Sequence, residues 1–288
     1  MKRIVFLIIP LLFACKEVKK EDRIVESEKP SKPVVKLYTL DGGTIVVNNL
    51  QLFSQDTTYQ GQSKEFANAF YVVSHPKGNL VWDTGLPDGL VGLPEPFTTP
   101  DGAFTVSRKD SLANQLSALG MTVNDFLYVA LSHTHFDHTG TANAFKEATW
   151  LVQEAEYDFI TSEASQKTNA DGYNAIKELQ NIKKLNGDFD VFGDGTVIIK
   201  SLPGHTPGHQ ALYLELNESG SVLLSGDMYH FNENRIYRRV PIFNFDVAQT
   251  QSSMEAFEAF AEEKGAWVIL QHEKKDFESM PTATNFLQ

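Results

Sequence analysis

Three imidazoles and one carboxylate fall within six residues near the middle of this chain: His133, His135, Asp137 and His138. They follow an apolar run, Phe126 to Leu131, that is typical of a buried strand. On extended chain His133 and His135 point the same way, whereas Asp137 and His138 fall on the following turn. Such nitrogen and oxygen donors suit zinc and similar divalent ions. One short segment could therefore supply two adjacent metal positions; the alternative is a solvated polar loop.

Further metal-competent side chains occur in the same setting, just after an apolar run. His205 follows the predicted strand 197–202, Asp227 follows the run ending at Leu224, and His272 closes the predicted strand 267–271. Taken singly, each is explained by a turn or a polar strand end. Because all of them recur at strand ends, we expect them to converge on one edge of the sheets.

The elements that must position these residues are mixed, with strands in the majority. Apolar patterning predicts strands at 35–40, 44–54, 68–74, 79–83, 127–132, 149–152, 197–202, 211–216, 221–225 and 267–271. Helical spacing is clearest at 253–264, with a capping box at Ser252 and Glu255 and a stop at Gly265. Weaker helices are predicted at 109–119, 140–147, 153–163 and 170–182. The pattern favours sheets covered by helices, an α/β or α+β layered domain.

Composition excludes several classes of protein. The 288 residues are 42% hydrophobic and 22% charged, which is ordinary for a soluble globular enzyme. A single Cys rules out an intrachain disulfide framework and a Cys-rich zinc or iron–sulfur site. A formal charge of −12 makes broad electrostatic binding to nucleic acid unfavourable. We therefore expect no nucleic-acid partner.

The N-terminal residues are expected to be a targeting signal rather than part of the folded domain. Lys2-Arg3 followed by an apolar run to Ala14 is too short to span a bilayer and fits a secretory signal at 1–14. The end of the run resembles a bacterial lipobox, with Cys15 as the lipidated residue. Residues 15–34 then form a flexible tether, and 35–288 a single domain. These features predict an exported lipoprotein held at the outer membrane; a plain signal peptide, or a buried strand with a chance Cys, is the alternative.

The ordered motifs resemble the metallo-β-lactamase superfamily. The resemblance rests on the motif His133-x-His135-x-Asp137-His138, followed by His205, Asp227 and His272, and on the early turn Trp82-Asp83-Thr84-Gly85. The resemblance implies a four-layer αββα sandwich with two Zn²⁺ or similar divalent ions between the sheets. It implies that His133, His135 and His205 bind one ion, that Asp137, His138 and His272 bind the other, and that Asp227 bridges both. Asp83 and His209 are expected to support the ligands.

Within that family the layout is most similar to the N-acyl homoserine lactonases. The resemblance therefore implies hydrolysis of a small lactone by a metal-bridging hydroxide, with Asp137 moving the proton. Where those enzymes carry a Tyr three residues after the bridging Asp, this chain has His230, with Tyr229 one earlier. Either side chain is a candidate donor to the substrate carbonyl. Acyl-chain contacts are expected from Phe66 to Tyr71, from residues 86–104 and from Tyr237 to Phe245.

Several alternatives stay open from the sequence. Hydrolases of organophosphate triesters or of other esters share the layout and are the nearest rival. A β-lactamase is disfavoured because Asp227 is present and the second metal site has no Cys. A mono-iron persulfide dioxygenase and a metal-binding lipoprotein without turnover complete the list. The oligomeric state is not determined, so a homodimer remains open.

Overall fold

The computed structural model describes Met1 and residues 32–288 of the chain. Residues 2–31 fall outside the described part, and with them the predicted signal sequence, the predicted lipidation site Cys15 and most of the predicted tether. Residues 33–288 form one compact unit. None of the helices between residues 32 and 288 combines the length and the apolar character needed to cross a bilayer.

Two sheets make up the centre of this unit. The first has eight strands in the order β4-β5-β1-β2-β3-β6-β7-β8, and the second has five in the order β13-β12-β11-β10-β9. The first sheet contains β1 Lys36–Val47, β2 Lys64–His75, β3 Gly78–Trp82, β4 Phe97–Thr98, β5 Phe104–Ser107, β6 Phe126–Ala130, β7 Thr149–Gln153 and β8 Ile182–Leu185. The second contains β9 Phe189–Asp190, β10 Val197–Ser201, β11 Gln210–Leu216, β12 Gly220–Leu224 and β13 Trp267–Ile269.

Within residues 32–288, eight α-helices connect and cover these strands. They are α1 Leu112–Ala118, α2 Phe136–Thr139, α3 Glu154–Thr161, α4 Glu163–Thr168, α5 Ala170–Ile176, α6 Asn232–Tyr237, α7 Val247–Lys264 and α8 Lys274–Ser279. Short 3₁₀ turns occur at Leu50–Phe53, Asp88–Leu90, Val123–Asp125, Ala142–Phe145 and Gly226–Met228.

The buried side chains form layers. One apolar cluster draws from the facing sides of both sheets, including Tyr71 and Trp82 from the first and Leu214 from the second. A second cluster packs the outer face of the first sheet against α1, α3 and α5, and a third packs the second sheet against Phe257 and its neighbours on α7. Burial of apolar area between layers is the main force that holds such an arrangement together. The predicted αββα sandwich is confirmed.

Local differences from the predicted elements have identifiable causes. The predicted strands 35–40 and 44–54 are one strand, β1, which is interrupted by a bulge between Asp41 and Thr44 and ends at Val47. The capping box at Ser252 is wrong: α7 starts earlier, because the Asp246 carboxylate accepts the Gln249 N–H at 2.9 Å. The stop at Gly265 is confirmed, since this residue adopts φ +56°, which favours glycine.

Pairing with neighbours also created strands that the local pattern did not reveal. The predicted helix 170–182 ends at Ile176, and Ile182–Leu185 becomes an edge strand parallel to β7. The segment after β3 contains the short pair β4 and β5, which extends the first sheet beside β1. Such strands depend on partners that are distant in sequence, so local patterning alone is a weak guide to them.

Close backbone packing holds the loop after β3 against the loop after β6. The Gly140 N–H donates to the Gly85 carbonyl at 2.9 Å, and the Thr84 N–H donates to the His138 carbonyl at 2.8 Å. A Cβ at Gly140 would lie 2.6 Å from that Gly85 oxygen and closer still to backbone atoms of Leu86 and Pro87. Only glycine therefore lets the two loops meet.

We expect Gly140→Ala to destabilise the fold by about 1–3 kcal/mol, the usual cost of overpacking where only backbone can move. Urea unfolding of the variant against the wild type measures this. Gly89→Ala is the matched control, because a Cβ there meets nothing within 4 Å. Equal midpoints for the two variants would contradict the close-packing interpretation.

Candidate metal centre

The predicted site residues meet at one edge of the two sheets. Strands β3 and β6 run parallel in the first sheet, as do β12 and β13 in the second. Parallel strands present their carboxyl ends at the same edge, and Asp83, the His133 segment, Asp227 and His272 all follow such ends. The structure therefore brings together all seven residues predicted as ligands, in two groups.

The first group contains three imidazoles and one carboxylate whose donor atoms all lie within 4.8 Å of one another: His133, His135, His205 and Asp227. His135 Nδ1 lies 2.8 Å from His133 Nε2 and 3.2 Å from His205 Nε2. Asp227 Oδ2 lies 3.6 Å from His133 Nε2 and 3.4 Å from His205 Nε2.

The second group contains Asp137, His138 and His272, again within 4.8 Å of one another. Asp137 Oδ2 lies 3.7 Å from His138 Nε2 and 3.5 Å from His272 Nε2. Asp137 and His138 belong to the short helix α2, so the turn after His135 carries them to this second position.

Asp227 joins the two groups through different oxygen atoms. Its Oδ2 faces the first group, whereas its Oδ1 lies 3.3 Å from His138 Nε2 and 3.0 Å from His272 Nε2. The side chain is buried, with 4% of its surface exposed. One carboxylate is thus placed so that each oxygen faces a separate set of donors, which is the arrangement of a bridging ligand.

Neighbouring groups fix which ring nitrogen faces the centre. The His138 Nδ1–H donates to Asp83 Oδ2 at 3.0 Å, and the His272 Nδ1–H donates to the Ala67 carbonyl at 2.9 Å. Both bonds leave the Nε2 lone pair directed at the centre, as in carboxylate–histidine–metal arrangements. His209 acts on Asp227 instead: its Nε2 accepts the Asp227 backbone N–H at 2.9 Å. Asp83 and His209 therefore hold His138 and Asp227, two of the residues predicted as ligands, in place.

Asp83 occupies a strained backbone position. Its φ is +60°, a region that non-glycine residues seldom adopt. Its second carboxylate oxygen accepts the Ser132 N–H at 2.6 Å, immediately before His133. Strain of this kind persists only where the surroundings fix it, and here two hydrogen bonds to the His133 segment do so.

The electrostatics of the site suit a cation. Burial, together with neighbouring imidazoles, holds the pKa values of His133 and His135 well below the usual 6.5, so both are neutral with lone pairs available at pH 7. Burial disfavours the Asp227 anion, but the surrounding imidazoles outweigh it and hold the Asp227 pKa well below its usual range. For His138 and His272, burial is outweighed by the Asp227 and Asp137 carboxylates, which raise the pKa of both rings, so a bound ion would displace protons from them.

Unsatisfied buried atoms test whether a metal fits these residues. His138 Nε2 and Asp227 Oδ1 are among the buried side-chain atoms of the described residues that have no hydrogen bond of good geometry. These two atoms face each other at 3.3 Å. Buried polar atoms of this kind are costly unless something else binds them. With nitrogen and oxygen donors only and no thiolate, the residues fit a pair of zinc-like divalent ions.

An apolar cavity of about 170 Å³ opens directly above the two groups. Asp137, Asp227 and three imidazoles form its polar floor, and its walls are Ile45, Phe53, Phe66, Phe104, Phe136 and Phe243. Each of the three segments expected to contact an acyl chain contributes one Phe to this wall. Sequence reasoning missed Phe53 and Phe136, because a single Phe in the sequence resembles ordinary core packing.

The two candidate hydrogen-bond donors to a substrate, His230 and Tyr229, point in different directions. His230 lines the cavity, and its Nε2 lies 3.1 Å from Asp227 Oδ2. Burial lowers the His230 pKa to about 4, so its ring is neutral at pH 7. Tyr229 points the other way and packs against Phe257 of α7, with ring centroids 5.8 Å apart. The prediction that Tyr229 contacts substrate is therefore not supported by its position.

Comparison with known proteins places these features in a family. Residues 64–272 match the family model described as the metallo-beta-lactamase superfamily. An N-acyl homoserine lactonase AttM from Azorhizobium caulinodans is 30% identical over 275 residues, which cover 88% of this chain and 98% of the relative. An N-acyl homoserine lactonase from a Bacillus species is 32% identical over 229 residues, covering 77% and 86%.

Solved structures give the same result. An N-acyl homoserine lactone hydrolase with the product N-hexanoyl-L-homoserine at its catalytic metal centre superposes with a TM-score of 0.74 at 27% identity, covering 88% of this chain and 99% of that one. A dizinc quorum-quenching lactonase, AidC, shares the fold with a TM-score of 0.64 at 18% identity. The residues shared with the family model span both groups of donors, and the chain belongs to the metallo-beta-lactamase superfamily.

Proposed function

We propose that this protein is a dinuclear metal-dependent hydrolase that opens the lactone ring of N-acyl homoserine lactones. The observation that carries the proposal is the position of Asp227, with one oxygen toward each group of donors, at the floor of an apolar cavity. Two relatives that match over 98% and 86% of their own length are named N-acyl homoserine lactonases. A substrate with a polar ring and an apolar tail matches the two surfaces of the cavity.

His133, His135 and His205 would hold one zinc-like ion, Asp137, His138 and His272 the other, and Asp227 both. Two such ions, when bound, lower the pKa of a shared water towards neutrality and polarise the carbonyl that it attacks. The residues of the chain then have to bind the substrate, keep bulk water out and move one proton.

Asp137 is the residue suited to moving that proton. Its carboxylate lines the cavity, and Oδ2 lies 3.5 Å from His272 Nε2 at the floor. From there it accepts a proton from the attacking water and delivers it to the ring oxygen that leaves as an alkoxide. His230 lies on the same cavity wall with its Nε2 3.1 Å from Asp227 Oδ2; once ions occupied that carboxylate, the single N–H of the neutral ring would be free to donate to the carbonyl oxygen of the substrate.

The cavity walls suit the acyl chain. Phe53 and Phe243 pack edge to face with centroids 5.4 Å apart, so they form one continuous apolar side. Phe136 and Phe243 are 40% and 42% exposed although they line the cavity, which places them at its mouth. An alkyl chain that leaves the floor would pass between apolar surfaces and so gain from being removed from water.

A direct substrate comparison tests the proposal. We expect the full chain, purified in detergent and loaded with zinc, to release protons from homoserine lactones of several acyl lengths. The expected kcat/KM is about 10⁴ M⁻¹s⁻¹ or more. Asp227→Asn should abolish this turnover and lower the bound zinc, because the amide cannot serve both groups as an anion.

Phosphotriesters, simple esters and a β-lactam are assayed beside the lactones. Faster turnover of a triester or simple ester would retain the metal centre but overturn the lactonase assignment. Normal turnover by Asp227→Asn with no metal bound would overturn the dinuclear mechanism as well.

The role of His230 has its own test, in which Tyr229 is the matched neighbour. We expect His230→Ala to reduce kcat by about 10²–10³, the usual cost of losing one donor to a developing oxyanion. Tyr229→Phe should change kcat by less than about twofold, because its ring packs on α7, away from the cavity. Stopped-flow rates at saturating lactone measure both, and the reverse ranking would reject His230 as the donor.

We propose in addition that the protein is an exported lipoprotein anchored through Cys15. Support comes from the sequence: a basic start, an apolar run from Ile4 to Ala14, and the single Cys of the chain directly after it. Stable lipid anchoring usually needs two signals, such as two acyl chains, so a single acyl chain on Cys15 would give only weak, reversible binding.

We expect the wild-type chain to fractionate with bacterial membranes and to incorporate labelled fatty acid. Cys15→Ser should lose the label, because the substituted residue has no thiol to acylate. Mass spectrometry of the mature N-terminus shows whether processing occurs at Cys15. Cleavage elsewhere, with no label in the wild type, would support a plain signal peptide instead.

A further inference from the structure

Glu156 is a buried carboxylate that lies outside the metal donors. It belongs to the first turn of α3, directly after β7, and only 2% of its surface is exposed. Among the described residues it has no ion-pair partner within 4.0 Å. A buried carboxylate is costly unless hydrogen bonds satisfy it, so its partners indicate why it is there.

One oxygen of Glu156 holds the first metal-binding segment. Oε1 accepts the Thr134 backbone N–H at 2.8 Å and the Thr134 hydroxyl at 2.6 Å. Thr134 lies between His133 and His135, two members of the first group. These bonds fix the backbone at the position from which both imidazoles project.

The other oxygen holds the second segment. Oε2 accepts the Gly208 N–H at 2.9 Å, and Gly208 lies in the loop that carries His205. The two segments approach so closely that a Cβ at Gly208 would lie 2.5 Å from the Glu156 backbone nitrogen. Glu156 therefore links the two loops that supply the three imidazoles of the first group.

The second group is held by different residues. His138 is fixed by Asp83 and His272 by the Ala67 carbonyl, and neither bond involves Glu156. The two groups thus share Asp227 and the contacts of Asp83 and Ser132, whereas the bonds of Glu156 reach only the segments of the first group.

We infer that Glu156 is a positioning residue that sets the affinity of the first metal position, formed by His133, His135 and His205, and leaves the second largely unaffected. The inference rests on the proposed dinuclear centre. Glu156 acts through backbone geometry, because its carboxylate is occupied by Thr134 and Gly208. Supporting residues of this type typically change metal affinity by 10- to 100-fold when they are lost.

The charge and shape of the carboxylate explain why glutamate is required. Three donors converge on its two oxygens. A glutamine has one oxygen and one NH₂ group. The backbone N–H of one loop would therefore face an NH₂ donor where the glutamate offers an oxygen acceptor. An aspartate is one methylene shorter and cannot reach both loops from the same helical position.

The test is a competition titration of the metal-free full chain with zinc against a chromophoric chelator. The wild type should bind two ions tightly, whereas Glu156→Gln should retain one tight ion and bind the other about 10- to 100-fold more weakly. Cobalt substitution supplies a spectroscopic signature: in Glu156→Gln, half of the visible absorbance should appear only at high cobalt. At saturating zinc, kcat should return to within about fivefold of the wild type.

Glu154→Gln is the matched control, since Glu154 is exposed in the same first turn of α3. It should titrate like the wild type. Thr134→Val removes only the hydroxyl bond and keeps the backbone N–H, so it should weaken the same single ion by a smaller factor. In the double variant the two effects should not add, because both act through one interaction.

Two tight ions in both Glu156→Gln and Thr134→Val would overturn the inference, as would equal weakening of both ions. If Glu156→Gln does not fold, Thr134→Val still tests the inference, because this variant loses only one hydroxyl group. The metal readout needs no substrate. A wild type that binds two ions but opens no lactone would therefore reject the proposed substrate and leave the role of Glu156 standing.

Discussion

The buried charge of Asp227 is the constraint on which the rest of the site depends. Five imidazole nitrogens lie within 3.6 Å of its two oxygens. Burying an anion costs several kcal/mol unless a positive charge or several hydrogen-bond donors compensate it. Burial opposes protonation of His138 and His272, but the Asp227 and Asp137 carboxylates outweigh it and raise the pKa of both rings, so protons supply part of that charge where no metal ion does. The arrangement is stable as a place for cations, and the surrounding fold can be understood as the means of keeping it so.

The fold supplies this centre with rigid positions. Parallel strands in each sheet end at the same edge, so donors from distant parts of the sequence converge without long loops. Three buried acids then fix the segments that leave those strands. Asp83 holds the start of the His133 segment and the His138 ring, Glu156 joins the His133 and His205 loops, and Asp227 lies between both groups. Asp83 and Glu156 each accept a hydrogen bond from at least one backbone N–H, which is why their burial is tolerated.

The floor and the walls of the cavity are suited to different parts of a substrate. The floor is polar and positions a carbonyl and a leaving oxygen, whereas the walls are almost entirely aromatic and suit an alkyl chain. His230 stands where the two surfaces meet, packed edge to face on Phe53 with centroids 4.7 Å apart. Its ring is thereby oriented by apolar contact while it keeps a nitrogen toward Asp227. A side chain in that position can affect both the reaction and the choice of substrate, because it touches the floor and the wall together.

The sequence by itself determined the donor residues, their order and the layered fold. Closely spaced histidines after apolar runs are a local signal, and a strand that ends in such residues can be recognised without knowing its neighbours. The tertiary structure decided the directions in which side chains point and the contacts between residues that are distant in sequence. It turned Tyr229 toward Phe257 and His230 toward the cavity, added the edge strand Ile182–Leu185, and gave Glu156 its three donors. Nothing around Glu156 in the sequence distinguishes it from the exposed Glu154 two residues earlier, because only the packed loops create the difference.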